Sequence, residues 1–147
     1  MSQLFRLLLC TSLLGCASTQ LPSMNTAHAA EPAAGNSQTV SLQVGQTMVL
    51  QAPALSIQLV EFKDSRCPVG AHCGWAGHAT ATLLITRAGS AAETIVVGTQ
   101  APPAMQLPYQ ASSGDYQFTL KSLAPRPTIG GAAAADVVRA SVLIEKR

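Results

Sequence analysis

From Val40 onwards, apolar residues recur at alternate positions in several short segments of the chain. A strand with one buried face alternates in this way, because successive side chains point to opposite faces of a sheet. The alternating apolar residues are Val40, Leu42 and Val44; Met48 and Leu50; Leu55, Ile57 and Leu59; Ala79, Ala81, Leu83 and Ile85; Tyr116, Phe118 and Leu120; and Val138, Ala140, Val142 and Ile144. Together with the β-branched run 94–97, they predict six to eight short strands.

The alternation changes phase inside one of these segments. Leu55, Ile57 and Leu59 are apolar, but beyond them the apolar positions become Val60 and Phe62. A slip of one residue would turn every later side chain to the other face, unless the strand accommodates one extra residue. The sequence therefore predicts a β-bulge near Leu59 and Val60.

The connections between these segments indicate the fold class. Gly, Pro and Ser separate the predicted strands, and we find neither a repeat nor a strongly amphipathic helix. The proline-bearing stretches 101–108 and 124–128 should be loops or edge segments, because proline cannot donate to a strand ladder. The glycine-flanked run 132–135 is too short for a stable helix and is expected to be a loop. We predict an all-β fold: a single antiparallel β-sandwich or small barrel.

Composition narrows the possible partners. The chain has 147 residues, and 48% of them are hydrophobic, which excludes a wholly disordered protein. Only 11% are charged, with a net charge of +2. No run of basic residues accompanies this charge, so we expect no nucleic-acid partner.

The N-terminus has the pattern of an export signal. Arg6 is followed by a short apolar stretch that ends at Leu14. This stretch is too short to cross a bilayer of about 30 Å as a helix. We therefore expect the chain to be exported.

The apolar stretch leads into Leu13-Leu14-Gly15-Cys16, which resembles the lipobox of bacterial lipoproteins. The resemblance implies that residues 1–15 are the signal peptide and that Cys16 is lipidated. Acyl chains such as palmitate make a stable anchor, because each buried methylene contributes about 0.8 kcal/mol. The next residue is Ala17 rather than Asp, and in this family that implies the outer membrane, with the protein facing the periplasm or the surface.

The sequence also contains an alternative cleavage site. Ala27-His28-Ala29 suits ordinary signal peptidase, which would release a soluble periplasmic protein after Ala29. This site lies about twelve residues beyond the apolar stretch, a long separation for such a signal, so we favour Cys16. Residues 16–38 are rich in small and polar residues and lack aromatics, which predicts a flexible tether before a β-sandwich domain at 39–147.

Apart from Cys10 in the leader and Cys16 at the lipobox, two cysteines remain, Cys67 and Cys73. In an exported protein we expect them to form a disulfide. The bond would brace a hairpin between a strand ending at Lys63 and one starting near Ala79. The disulfide therefore follows from the predicted export.

The hairpin also resembles a motif of small exported, β-rich bacterial proteins. It contains Asp64-Ser65-Arg66-Cys67-Pro68, a short spacer, and then Cys73-Gly74-Trp75-Ala76-Gly77. The resemblance implies a β-rich domain and a location in the cell envelope. It implies no activity.

Asp64 and Arg66 could pair at the mouth of this hairpin and hold the turn. The alternative is that Arg66 and Trp75 recognise a partner, because Arg and Trp are enriched at binding hot spots. Exposure of Trp75 would distinguish the two hypotheses.

Metal binding and catalysis are the chemical alternatives. His72 and His78 could hold Cu or Zn, but oxidised cysteines are not ligands and the spacing fits no standard zinc pattern, so we expect no metal or other cofactor. A small envelope enzyme is the third hypothesis. The chain has no nucleophile-elbow or phosphate-loop motif, and we expect no catalytic activity. The acidic residues of the domain are Glu61, Asp64, Glu93, Asp115, Asp136 and Glu145.

These observations predict a non-catalytic envelope lipoprotein that acts as a binding or structural module. Its lipid anchor would hold it at the membrane, and its partner would be an envelope protein or a glycan. The sequence does not choose between these partners.

The anchor assignment is tested by changing Cys16 to Ser. We expect the variant protein to leave the membrane fraction and to lose incorporation of labelled palmitate. The Cys10→Ser variant is the control, because Cys10 belongs to the leader, and it should stay in the membrane. Retention of the Cys16→Ser protein in membranes would show that the assignment is wrong.

Overall fold

The computed structural model describes residues 37–51, 54–131 and 133–147. The predicted signal peptide, the lipidated Cys16 and the alternative cleavage after Ala29 lie outside the described residues and stay predictions. The strands are β1 (Ser37–Gln43), β2 (Thr47–Gln51), β3 (Ala54–Asp64), β4 (Ala79–Arg87), β5 (Glu93–Gly98), β6 (Gln110–Ser113), β7 (Tyr116–Ala124) and β8 (Arg139–Lys146). The first strand therefore begins two residues before the predicted start of the domain at residue 39.

The strands form two four-stranded sheets, in the orders β1-β8-β7-β6 and β2-β3-β4-β5. Every pair of neighbouring strands is antiparallel. The sheets do not close into a barrel, so the sandwich prediction is confirmed and the barrel alternative is not. No helix among the described residues is long and apolar enough to cross a membrane.

One core lies between the two sheets. The alternating residues of β3, β4 and β8 are buried, as the sequence predicts, and Phe118 of β7 is the largest fully buried side chain. Burying each large aliphatic or aromatic side chain contributes roughly 1.5–3 kcal/mol. The core residues with the lowest exposure include Leu42, Leu55, Ile57, Leu59, Leu83, Ile85, Val97, Phe118, Leu123, Val138 and Val142.

The predicted bulge in β3 is confirmed. Leu59 pairs with Leu83 and Glu61 pairs with Thr82, which leaves Val60 without a partner in β4. Val60 is 47% exposed. The extra residue restores the alternation, so the chain resumes its inward direction at Phe62 and not at Val60.

A second bulge, in β7, is not visible in the sequence pattern. Leu120 pairs with Val142 and Ser122 pairs with Ser141, which leaves Lys121 as the extra residue. The buried positions then pass from Leu120 to Leu123. Only Ser122, Leu123 and Ala124 follow this bulge before the strand ends, and Leu123 and Ala124 are adjacent, so no second alternating pattern can be recognised.

Three loops meet at one end of the sandwich, which we call the loop end: residues 65–78, 99–109 and 125–138, with residue 132 not described. The stretches predicted to be loops at 101–108 and 124–128 lie here, apart from Ala124, the last residue of β7, and a short 3-10 turn at Pro103–Met105. In β1, Gln43 pairs with Arg139 next to these loops, whereas Ser37 pairs with Glu145 near the opposite end. The described chain therefore enters the domain at the end away from the loops.

Deletion of Val60 tests the role of the bulge. Without this residue, Leu59 and Glu61 become consecutive and still face Leu83 and Thr82, so the core should be preserved. We expect the free energy of unfolding to fall by about 1 kcal/mol or less. Denaturant unfolding measures this change.

Thr82, across the ladder from the bulge, supplies the control deletion. Its removal leaves no extra residue to absorb the slip, so Leu83 and Ile85 would turn away from the core. The loss should be about 3–6 kcal/mol for two aliphatic side chains. Equal losses from the two deletions would contradict the proposed function of the bulge.

Candidate functional site

The disulfide predicted from the sequence is present. Cys67 and Cys73 are bonded within the loop that joins β3 to β4, and their Cα atoms are 5.9 Å apart. Closing so short a loop restricts the unfolded chain by about 2–2.5 kcal/mol in the chain-entropy model. The hairpin at the loop end is therefore braced as expected.

Asp64 and Arg66 form an ion pair at the start of this loop. Nε of Arg66 donates to Oδ1 of Asp64 at 2.8 Å, and Nη2 donates to Oδ2 at 2.5 Å. The backbone N–H of Arg66 also donates to Oδ1, at 3.1 Å. The side chains are only 7% and 13% exposed for Asp64 and Arg66, so removing one partner would leave a buried charge, at a cost of about 3–5 kcal/mol. The pair considered in the sequence is thus formed, and it neutralises the charge of Arg66 locally.

We call residues 65–78, which contain the disulfide, the disulfide loop. One side of this loop is bonded to the loop between β7 and β8. The backbone N–H of Val69 donates to the carbonyl of Pro127 at 2.8 Å, and Val69 forms a parallel bridge with Thr128. Nη2 of Arg126 donates to the carbonyl of Cys67 at 2.9 Å. These contacts hold two loops from different sheets together.

The other side contacts the loop between β5 and β6. Nε2 of His78 lies 2.9 Å from the carbonyl oxygen of Pro108, and because a carbonyl only accepts, Nε2 carries the proton. Gly98 makes this contact possible. A Cβ at Gly98 would lie 2.3 Å from the Pro108 oxygen and 2.7 Å from Nε2 of His78.

The two histidines differ in their surroundings. His72 is exposed, whereas His78 is buried and its Nε2 is bonded to Pro108. No group of three or more metal-ligating side chains is found in the part of the chain that the structure describes.

The loop end carries most of the exposed large apolar side chains. Among the described residues, ten such side chains are exposed, and seven of them lie on the three loops. The seven are Val69, Trp75, Met105, Leu107, Tyr109, Ile129 and Val137. Trp75 is 43% exposed and Ile129 is 69% exposed. A cluster of exposed apolar residues at one place is a mark of an interaction surface.

A concavity of about 560 Å³ lies between the disulfide loop and the loop that follows β7. Its polar lining includes Asp64 and Arg66, and its apolar lining includes Pro68, Pro127 and Ile129. This volume is within the range of about 300–1,000 Å³ that is typical of small-molecule pockets in proteins. The ion pair and the exposed apolar residues therefore border one depression.

Two of the carboxylates considered in the sequence have close partners, and they lie at opposite ends of the sandwich. Asp64 binds Arg66, while at the opposite end of the sandwich Glu93 accepts from the hydroxyl of Ser113 at 2.5 Å. Ser113 is buried and also accepts a hydrogen bond from Arg87. These contacts join the last residue of β6 to the end of β4 and the start of β5, which is a structural function.

Trp75 and Arg66 are at the loop end, as the sequence interpretation requires, and Arg66 lines the concavity. The sequence interpretation missed Ile129 and the apolar residues of 99–109. Isolated apolar residues among Pro and Gly were their only signal. That signal is weak, because it does not show which loops meet.

No protein-family model, no curated protein and no solved structure matches this chain.

Gly77→Ala tests how the disulfide loop is held. Gly77 has φ +75°, and a Cβ there would lie 2.2 Å from the carbonyl oxygen of Ser65 and 2.5 Å from Cα of Arg66. Both neighbours are backbone atoms, so the loop must move, and we expect a loss of about 1–3 kcal/mol. Unfolding followed by the fluorescence of Trp75, the single tryptophan, measures it.

Gly74→Ala is the matched control in the same loop. A Cβ at Gly74 would meet no atom within 4 Å, and the φ of Gly74 is not positive. The free energy of unfolding of the Gly74→Ala protein should therefore stay close to that of the parent protein. If both substitutions have the same effect, the close approach at Gly77 does not constrain the loop.

Proposed function

We propose that this protein is a lipid-anchored module of the bacterial envelope that binds a protein partner through its loop end and performs no catalysis. The clustering of seven exposed large apolar side chains on three adjoining loops carries the proposal. Cys16 would hold the chain at the outer membrane through its acyl chains.

The loops suit binding because they are already ordered. The disulfide bond braces the disulfide loop. The two neighbouring loops, 99–109 and 125–138, are bonded to this loop at Cys67, Val69 and His78. Ordering a side chain or loop during association costs free energy, and a preformed surface avoids much of this cost. The bracing therefore supports a recognition function for this end.

The start of the first strand also supports a partner at the loop end. Ser37 pairs with Glu145 near the end opposite the loops. The start of β1 therefore does not lie among the three loops that expose the apolar side chains.

The surface chemistry favours a protein partner over a glycan. The seven exposed apolar residues are mostly aliphatic, with Trp75 and Tyr109 the aromatic members. The loops contain few charges, and those of Arg66 and Arg126 have hydrogen-bonding partners. Depletion of charge and enrichment of apolar groups is typical of the centre of a protein interface.

Photo-crosslinking in cells tests this proposal. A photoreactive amino acid at Trp75 or Met105 should capture a discrete protein partner, because both side chains are exposed at the loop end. The same group at Val49 or Val96 is the control, since these residues are exposed on strands away from the loops. Capture at the control positions without capture at the loops would overturn the proposal.

A further inference from the structure

The concavity beside the disulfide loop contains unused hydrogen-bond donors. An arginine has five N–H donors, and Asp64 occupies one on Nε and one on Nη2 of Arg66. Among the described residues, Nη1 and the second N–H of Nη2 have no partner. Arg66 lines the concavity, and no side-chain nitrogen or oxygen that is fully buried in the described chain lacks a partner. The free edge of the guanidinium, at Nη1, therefore keeps some contact with solvent, although the Arg66 side chain as a whole is only 13% exposed.

Asp64 holds this edge in a defined orientation. The bulge at Val60 returns the last residues of β3 to the inward phase, which directs Asp64 towards the interior at the strand end. The carboxylate then binds both the side chain and the backbone N–H of Arg66. A planar guanidinium held at two atoms has little freedom left to lose when a ligand binds.

The charge of the site selects a neutral ligand group. The only ionisable residues that line the concavity are Asp64 and Arg66, and they compensate each other. A ligand carboxylate would lose its hydration beside Asp64 without meeting an unpaired positive charge in the lining, since Arg126 does not line the concavity and is bonded to the carbonyl of Cys67. A backbone carbonyl oxygen accepts from the free N–H groups without this cost.

The remaining walls suit an apolar side chain and an approaching backbone. Ile129 is 69% exposed and lies with Pro68 and Pro127 in the lining. Gly130 and Gly131 complete the rim, and a Cβ at either would meet nothing within 4 Å, so this side is open. A short extended segment can enter there.

We infer that the concavity binds an uncharged, extended peptide segment of the protein partner. A carbonyl oxygen of the segment accepts from Arg66, and an adjacent apolar side chain packs against Ile129 and Pro68. The inference rests on the proposed function and names the chemistry of the partner.

Selection from a random hexapeptide library on the full chain tests the inference. We expect enrichment of uncharged peptides that contain Pro, Leu, Ile or Val, and binding of these peptides should shift the NMR signals of the Arg66 Nε–H and of the Gly130 and Gly131 amides. Replacing the apolar residue of an enriched peptide by Asp should weaken binding about tenfold or more.

Three variants of the protein make the test specific. Ile129→Ser should weaken binding about tenfold and, being at an exposed position, should leave the fold intact. Arg66→Lys should also weaken it about tenfold, because Lys lacks the planar fork. Val96→Ser, on an exposed strand position, should bind like the parent protein.

Several outcomes would overturn the inference. They are no enrichment of any peptide, enrichment of charged peptides only, and equal binding to the Ile129→Ser and parent proteins. Ile129-dependent binding of the Cys16→Ser protein to phosphatidylcholine vesicles would show that a lipid surface is the ligand instead. In each case, continued crosslinking of a protein at Trp75 would leave the proposed function standing, so the two failures are distinguishable.

Discussion

Burial of one face of each sheet is the constraint on which the remaining structure depends. A four-stranded antiparallel sheet with one apolar face must cover that face, and here each sheet covers the other. Leu59, Leu83 and Phe118 lie inside with almost no exposure, so the pairing of their strands has little freedom to slip. The ends of the strands, and with them the loops, are positioned by this packing.

The bulges connect the core to the candidate site. Because β3 contains one extra residue at Val60, its inward positions continue through Phe62 to Asp64. Asp64 then lies where it can bind Arg66, two residues later, with little exposure to solvent. A packing requirement in the middle of the strand thus places a polar group at its end.

The loop end combines rigidity with a low density of charge. The disulfide, the bonds from Val69 and Arg126, and the contact between His78 and Pro108 connect three loops that are separate in the sequence. Under the proposed function, a partner that covers the exposed apolar side chains of these loops would gain free energy by removing them from water. The hydrogen-bond donors of Arg66 would then fix the orientation of that partner.

The features that depend on residues close together in the sequence could be predicted from the sequence alone. The alternation predicted an all-β fold, either a sandwich or a small barrel, and the phase change near Leu59 and Val60 predicted the first bulge. The two cysteines of a chain that we predict to be exported indicated the disulfide. Each of these depends on residues that are neighbours in the sequence. The second bulge, at Lys121, left no such trace because too few apolar residues follow it.

The sequence alone does not predict which loops lie together. Contacts such as Arg126 with Cys67, and His78 with Pro108, join residues 59 and 30 positions apart. They form because the packing of the two sheets brings strand ends together, and no local pattern records which ends meet. The grouping of Ile129 with the disulfide loop, and hence the concavity, exists only once both sheets share their core.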